Sequence, residues 1–380
     1  MRRARAIAFY LPQFHPIPEN DLWWGKGFTE WTNTARARPM FRGHYQPHIP
    51  ADLGFYDLRL PETREAQAAM ARHYGIEGFC YYHYWFGGQR ILERPFNEVL
   101  ASGSPDFPFC LCWANETWTG IWHGAPNRVL IEQTYPGPAD DEAHFAALLH
   151  AFCDPRYIRV EGKPLFLIYK PDKLPAASLA LWRKLAAAAG LPGLHMVGVS
   201  SDLSWKPWQH GYDGKVVTPI VLPRQWVSRR RPLKWLRYRY PIWRGRPTVH
   251  SYAAFVEGHV RVQDPDGRLY PCLIHAWDNT PRSGVGGMVL QGSTPELFRR
   301  LLGDAVSALR DVPAERQLVF LKSWNEWAEG NHLEPDRRSG HGYLNVVREV
   351  LADPDEPAGV IAAPQGRATE PSAVSSLIAG

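Results

Sequence analysis

Short apolar runs recur along the chain, separated by longer mixed stretches: Ala6–Tyr10, Gly78–His83, Phe107–Trp113, Pro164–Tyr169, His195–Val199, Lys215–Pro219, Pro271–Trp277 and Leu318–Leu321. They are continuous rather than alternating, the pattern of parallel strands buried on both faces. The stretches between them predict helices over Pro61–His73, Asp140–Cys153, Ala176–Ala189 and Pro295–Arg310; acidic Glu62 and Glu65 sit in the first turn of the first, and Gly190 closes the third. Eight strands alternating with helices predict an α/β fold, a (β/α)8 TIM barrel over residues 1–351 with long strand-to-helix loops. A doubly wound open sheet is the alternative, but no Gly-rich phosphate turn succeeds the first run. The tail 352–380, rich in Ala, Pro, Gly and Ser, reads as a flexible extension.

The residues at the end of each run carry the chemistry. The first run ends in Tyr10 and leads to His15; the second ends in Tyr82 and His83, with Trp85 just beyond. The third ends in Trp113 and continues through Asn115, Glu116 and Trp118; the fourth ends in Tyr169. The seventh yields Trp277, Asp278, Asn279 and Arg282, and the eighth Trp324 and Asn325. Polar and aromatic groups at the carboxyl ends of barrel strands mark the face where such barrels do chemistry. The connection over residues 13–60 is long and carries Trp23, Trp24 and Trp31, so function is favoured over disorder. Trp277–Arg282 also reads as a simple turn, with Asp278 pairing locally with Arg282, and Ser283–Gly287 as a mobile loop.

Past the eighth run, Trp324-Asn-Glu-Trp-Ala-Glu-Gly-Asn-His-Leu-Glu334 delivers Glu326, Glu329 and Glu334. Glycosidic-bond chemistry needs two carboxyl groups flanking the bond, and aromatic faces suit the apolar side of a sugar. A spacing of three puts Glu326 and Glu329 on one side of a helical turn. The bland alternative is two acids in a helix first turn, favoured by the macrodipole. Glu116, beside Asn115, is the rival acid; Glu334 is expected to bind hydroxyls or hold the loop. The strand-end aromatics Trp85, Trp113, Trp118, Trp277 and Trp324 are expected to stack on sugar.

Composition sharpens this. Trp, Tyr and Phe number 16 each, more than a core of Leu, Ile and Val requires, so part of the Trp is expected to line a pocket. The five cysteines read as buried reduced thiols, with Cys110 and Cys112 facing opposite sides of a strand. No cofactor or metal is expected, because no His/Asp/Glu triplet has tight ligand spacing. No cleavable apolar leader and no membrane-length apolar run is seen, which reads as cytoplasmic. The net charge of +5 is concentrated: nine Lys or Arg and no acid lie between Arg224 and Arg246, interleaved with Trp226, Trp235, Tyr238, Tyr240 and Trp243. That is either a solvated insertion or a landing site for an anionic membrane or lipid-linked glycan at the inner membrane. A general nucleic-acid binder would spread its basic footprint over a fold of recognisable type.

The blocks Phe9–His15, Gly27–Trp31, Tyr81–Trp85, Trp113–Glu116, Trp277–Arg282 and Trp324–Gly330 together resemble the WbsX family of polysaccharide-biosynthesis proteins, related to the barrel-fold glycoside hydrolase family 99, the endo-α-mannosidases. The resemblance implies that the two catalytic acids fall on Glu326 and Glu329. It implies a retaining route in which the first acid assists the sugar's own 2-hydroxyl, through a 1,2-anhydro intermediate, and the second protonates the leaving oxygen and then activates water. The endo-mannosidases usually have His before the second acid, where this chain has Ala328, so the pocket there is expected to differ. WbsX-like proteins go with O-antigen or capsule clusters and are sometimes labelled glycosyltransferases. The expected function is therefore a retaining glycoside hydrolase or transglycosidase acting on an oligo- or polysaccharide. A lipopolysaccharide glycosyltransferase is the alternative, and a non-catalytic glycan-binding module a distant third; no Rossmann fingerprint supports a nucleotide-sugar site.

Overall fold

Parallel pairing closes on itself in the computed structural model of the chain, which describes residues 4–120, 125–219, 243–259, 262 and 264–352. The eight strands are β1 (Arg5–Tyr10), β2 (Gly78–His83), β3 (Phe109–Trp113), β4 (Lys163–Ile168), β5 (His195–Ser200), β6 (Gly214–Val217), β7 (Leu269–Ile274) and β8 (Leu318–Lys322). Each pairs with the next in chain order, and β8 returns to β1 with Arg5 opposite Leu318. This is a (β/α)8 barrel. Every residue of β2 and β3 is buried, as expected of strands covered on both faces.

The pleat divides each strand between lumen and helix layer. Phe9 stacks on Tyr82 at 5.5 Å and meets Phe320 at 5.6 Å, filling the lumen. Outside, Tyr81 packs on Phe96 at 5.4 Å and Phe166 on Trp182 at 5.3 Å, beneath the helices. Those helices are α1 (Pro61–His73), α2 (Arg94–Ser102), α3 (Pro138–Cys153), α4 (Ala176–Ala188), α5 (Tyr252–Glu257), α6 (Pro295–Ala308) and α7 (Gly342–Leu351). Between β5 and β6 a single 3-10 turn, Pro207–His210, stands where the barrel pattern would place a helix.

Some expectations need correcting. β3 begins at Phe109, not Phe107, because Pro108 has no N–H to give to a ladder. β7 ends at Ile274; Trp277–Asp278 belongs to a separate three-stranded sheet with Met288–Gln291 and Thr248–Ser251. Cys110 and Cys112 do not face opposite sides: residues two apart share a face, and Cys110 stands opposite Cys80 in the neighbouring strand. The first connection is ordered and holds two short helices, Pro18–Trp24 and Glu30–Arg36. The basic segment lies largely at 220–242, outside the described residues, as does the tail beyond Ala352; Trp243, Arg244 and Arg246 are described and exposed. No described helix is long and apolar enough to cross a membrane.

Candidate active site

The eighth strand presents the acids. Beyond Lys322 the chain forms a two-residue ladder, Asn325–Glu326 against Asn331–His332, joined by one 3-10 turn, Trp327–Glu329. Three residues per turn bring i and i+3 over one another, so Glu326 and Glu329 emerge on the same side. Gly330 closes the turn at φ +56°, where a Cβ would lie 2.9 Å from the Cβ of Asp278. Only glycine lets the acid turn press that closely against its neighbour. Asn325 fixes the other flank: its amide accepts from Leu11 N–H at 2.8 Å and donates to Leu11 C=O at 3.0 Å.

Arg282 joins three carboxylates. Its Nη1 donates to Glu329 at 2.7 Å, its Nη2 to Glu326 at 2.9 Å and its Nε to Glu30 at 3.0 Å. All four side chains are largely buried. A planar fork of five donors can serve several acceptors at fixed angles, which an ammonium cannot. Burial opposes the charge on Arg282, but Glu30, Glu326 and Glu329 outweigh it and hold its pKa well above the usual value.

Lys322, on the lumen side two residues beyond Phe320, is a second cation. Its Nζ lies 5.5 Å from the centre of the Trp277 ring and 5.9 Å from that of Tyr169. Burial works against its charge too, yet Tyr169, Glu329 and Glu326 raise its pKa. Glu326 is pushed up to about 7, first by burial and then by the charge of Glu329, against the pull of Arg282 and Lys322. Burial likewise raises Glu30, with Arg282 opposing.

These groups line a cleft of about 410 Å³ at the carboxyl end of the strands. Tyr82, Tyr84, Trp24, Phe28, Trp118 and Tyr169 supply its aromatic walls. Glu116 stands at its edge, exposed and paired with Lys170 at 3.1 Å. Of the sequence-predicted residues, Tyr82, Glu116, Trp118, Tyr169, Arg282, Glu326 and Glu329 meet in this one cleft.

The others lie elsewhere. Tyr10 faces the helix layer, its hydroxyl on Gln67 at 2.7 Å. Trp31 packs against Phe14 and Trp327. His83 bonds His144 at 2.8 Å, and Trp85 and Trp113 pack on the same imidazole. Burial pushes His83 down to about 3 and His15 to about 4. Asn115 ties the exits of β3 and β4 through Lys170 N–H and C=O. Trp324 is fully buried against Phe79. Glu334 accepts from Trp327, Gln67 and Tyr56 at 2.6, 2.6 and 2.8 Å, and burial pushes it up to about 7.

Asp278 does not pair with Arg282. It accepts from His44, Gln46 and Thr280 instead, while Asn279 accepts from Met288 N–H and shapes the turn. Trp277, Asp278 and Glu334 line a second cavity, of about 190 Å³.

A family model described as glycosyltransferase WbsX matches residues 6–347. The chain belongs to that family. The uncharacterized protein WxcX of Xanthomonas campestris pv. campestris, in strains B100 and ATCC 33913, is 40% identical over 367 residues, which is 95% of this WbsX-family chain. The chain spans about half, 51%, of the length of these relatives. Among solved structures, a glycoside hydrolase-like protein has a TM-score of 0.59 at 16% identity, over 92% of this chain and 94% of the other. A GH99 endo-α-mannosidase from Bacteroides thetaiotaomicron has a TM-score of 0.54 at 15% identity, over 91% and 96%. At such identities the likeness is one of fold.

Among the cleft residues, sequence reasoning on this WbsX-family chain assigns no role of their own to Glu30, Lys322 and Phe28. One of them leaves a signal. Lys322 ends an otherwise apolar strand, where a lysine must find compensating charge. Glu30 stands between Thr29 and Trp31 in the long first connection, and only folding reveals that it reaches Arg282, 252 residues away.

Proposed function

We propose that this chain is a carbohydrate-active enzyme working on glycosidic bonds, a retaining glycoside hydrolase or transglycosidase in bacterial surface polysaccharide metabolism. The observation that carries the reading is the acid pair Glu326 and Glu329 on one guanidinium, in an aromatic-walled cleft at the carboxyl end of a barrel. In this reading Glu326 takes the proton of the sugar 2-hydroxyl as O2 attacks the anomeric carbon and the glycosidic bond breaks. Glu329, holding the acid pair's one proton in the reactive form, gives it to the leaving oxygen. A water or sugar hydroxyl then loses its proton to Glu329 and opens the 1,2-anhydro ring, while Glu326 returns its proton to O2. The rise of Glu326 to about 7 beside Glu329 keeps one proton on the acid pair at neutral pH, the number that one acid and one base require. Tyr82, Trp118 and Tyr169 supply faces for the sugar, and Glu116 a rim contact for its hydroxyls.

α-Mannoside links are the first substrates to test, because the WbsX family is related to endo-α-mannosidases. Ala328 is fully buried and puts no imidazole beside Glu329, so the leaving-group side is expected to differ from theirs. The purified protein is incubated with α-mannoside-containing glycans and with lipid-linked oligosaccharide, and the products are identified by mass spectrometry. Cleavage or transfer lost in Glu326→Gln supports the reading; unchanged glycans throughout would refute it.

A sugar-nucleotide-dependent transferase is the second reading, favoured by the family's description. Such transferases often hold their metal on an Asp-x-Asp pair, and the chain has one at Asp264-Pro-Asp266, but it sits just before β7, at the amino end of the barrel, with both carboxylates on Arg268. Saturable calorimetric binding of a nucleoside-diphosphate sugar would reverse the order of the two. The Arg224–Arg246 segment is proposed to dock the enzyme on anionic lipid or a lipid-linked glycan at the inner membrane, each cation near a bilayer adding about 1 kcal/mol. Sedimentation with liposomes checks this: equal recovery on neutral and anionic vesicles, or no loss on converting Arg229, Arg230 and Arg231 to Ser, leaves a solvated insertion.

A further inference from the structure

The second cavity lies on the far side of the acid turn from the cleft, and one of its walls joins three residues that are far apart in sequence. His48 comes from the connection after β1; His332 and Asp336 come from the chain after β8. Their ligand-capable atoms all lie within 4.8 Å of one another, and all three residues are buried. His48 Nδ1 stands 2.8 Å from His332 Nε2 and 3.9 Å from Asp336 Oδ2.

The surroundings orient each group towards a common point. His332 Nδ1 is 2.9 Å from the carbonyl oxygen of Glu334, which can only accept, so Nδ1 carries the proton and the Nε2 lone pair faces His48. The Trp327 ring lies over His332 at 3.6 Å and 10°, which fixes the imidazole plane. Asp336 Oδ1 accepts the backbone N–H groups of Arg338 and Ser339, at 3.1 and 2.6 Å, and leaves Oδ2 towards His48. A carbonyl-anchored imidazole beside a carboxylate held by backbone amides is the outer support that metal ligands use.

We propose that His48, His332 and Asp336 bind a borderline divalent transition metal of the Zn²⁺ class, the cavity leaving a fourth position to solvent. Two imidazoles and one carboxylate suit that class rather than Mg²⁺ or Ca²⁺, which demand oxygen cages. The shared proton between the imidazoles gives way to the cation. Zn–N bonds of about 2.0–2.1 Å in a tetrahedron hold the nitrogens about 3.3 Å apart, so the rings part by roughly half an ångström. Asp278 and Glu334 also line the cavity, against the opposing charge of Arg338. The metal would clip the β1 connection to the β8 segment directly behind Trp327, the residue between the two candidate acids.

The full chain is stripped with a chelator and titrated with Zn²⁺ by calorimetry, and separately with Co²⁺ followed by visible absorption. The expected result is one equivalent bound in the micromolar range or tighter, with Co²⁺ bands of a low-coordinate site. Loss of a direct ligand in His48→Gln or Asp336→Asn should weaken binding by more than the roughly 10–100-fold that outer-shell losses cost. Circular dichroism confirms folding, and Asp336→Asn keeps the acceptor for the backbone amides should His48→Gln fail to fold. No binding at millimolar Zn²⁺, affinity unchanged in Asp336→Asn, or equal affinity for Mg²⁺ would each overturn the proposal.

Discussion

Replacing Arg282 by Gln removes the cation that contacts Glu30, Glu326 and Glu329 at 3.0, 2.9 and 2.7 Å. At an effective dielectric of about 20, each pair of unit charges about 4 Å apart is worth about 4 kcal/mol. Losing three such attractions with every carboxylate still ionised would cost about 12 kcal/mol, comparable with the whole stability of a domain. The molecule has a cheaper course, which is to bind protons. Glu326, already near pKa 7, takes one at little cost at neutral pH. A carboxyl with the ordinary value of 4.5 needs about 3 kcal/mol to stay protonated at pH 7, at 1.36 kcal/mol per unit. The expected destabilisation is therefore about 3–5 kcal/mol at pH 7, the range for breaking a buried pair.

The pH dependence carries the test. A carboxyl whose folded pKa lies above its unfolded value binds more protons folded, so its contribution to stability falls as pH rises from the unfolded towards the folded value. In Arg282→Gln these folded values rise further, and the gap from wild type should widen between pH 5 and 8. Urea unfolding of both proteins at several pH values measures it. A gap that is constant across that range, or below about 1 kcal/mol at pH 7, would refute the hub role of Arg282.

Glu326→Gln and Glu329→Gln should each cost about 10²-fold or more in rate with folding intact; steady-state kinetics decide, and loss of turnover in Glu116→Gln but in neither of these would move the acid to β3. The alkaline limb of kcat/KM should fall near pH 7, where the acid pair loses its last proton. Glu30→Gln should move that limb to lower pH, since the Glu30 charge raises Glu326; an unmoved limb argues against coupling. Trp118→Ala should weaken glycan binding by about 2–10-fold, the worth of an aromatic contact, without moving the pH profile, as measured by calorimetry. Gly330→Ala should destabilise by about 1–3 kcal/mol, because φ is +56° and its Cβ would press on Asp278; denaturant midpoints test it.

The barrel is legible in the sequence because its strands are buried on both faces and so stand out as unbroken apolar runs. α1 and α3 are legible from their composition, with α3 starting two residues earlier than expected, at Pro138. α2, α5 and α7 are not: they run to nine, six and ten residues, close to the lengths at which apolar stretches lose a distinguishable period. At the site, the acid turn is legible because Glu326 and Glu329 are local to each other. Glu30 is not, because its role is made by a contact with Arg282 across 252 residues, and the grouping of His48 with His332 spans 284. Several aromatics expected to be sugar platforms instead fill the barrel's layers. Trp113 and Trp324 sit at strand exits, but one side of an exit faces the helices, and sequence position does not tell which side a residue takes until the pleat is fixed.

The electrostatics of the cleft arise from a simple imbalance. Three carboxyl groups (Glu30, Glu326, Glu329) face two cations (Arg282, Lys322), formally one negative charge in excess. That excess is costly in a buried cluster, and it is shed most easily at Glu326, where burial and Glu329 together lift the pKa to about 7. With one proton on the acid pair the cluster is formally neutral; the proposed chemistry uses that state, with the proton on Glu329 as the acid and Glu326 ionised as the base. Lys322 is what keeps the balance from tipping further. Lys322→Met should raise Glu326 again, moving the alkaline limb of the rate profile upward while sparing the fold, because methionine fills a similar volume beside Tyr169 and Trp277. A limb that stays in place in this variant would mean that Arg282 alone sets the charge of the pair.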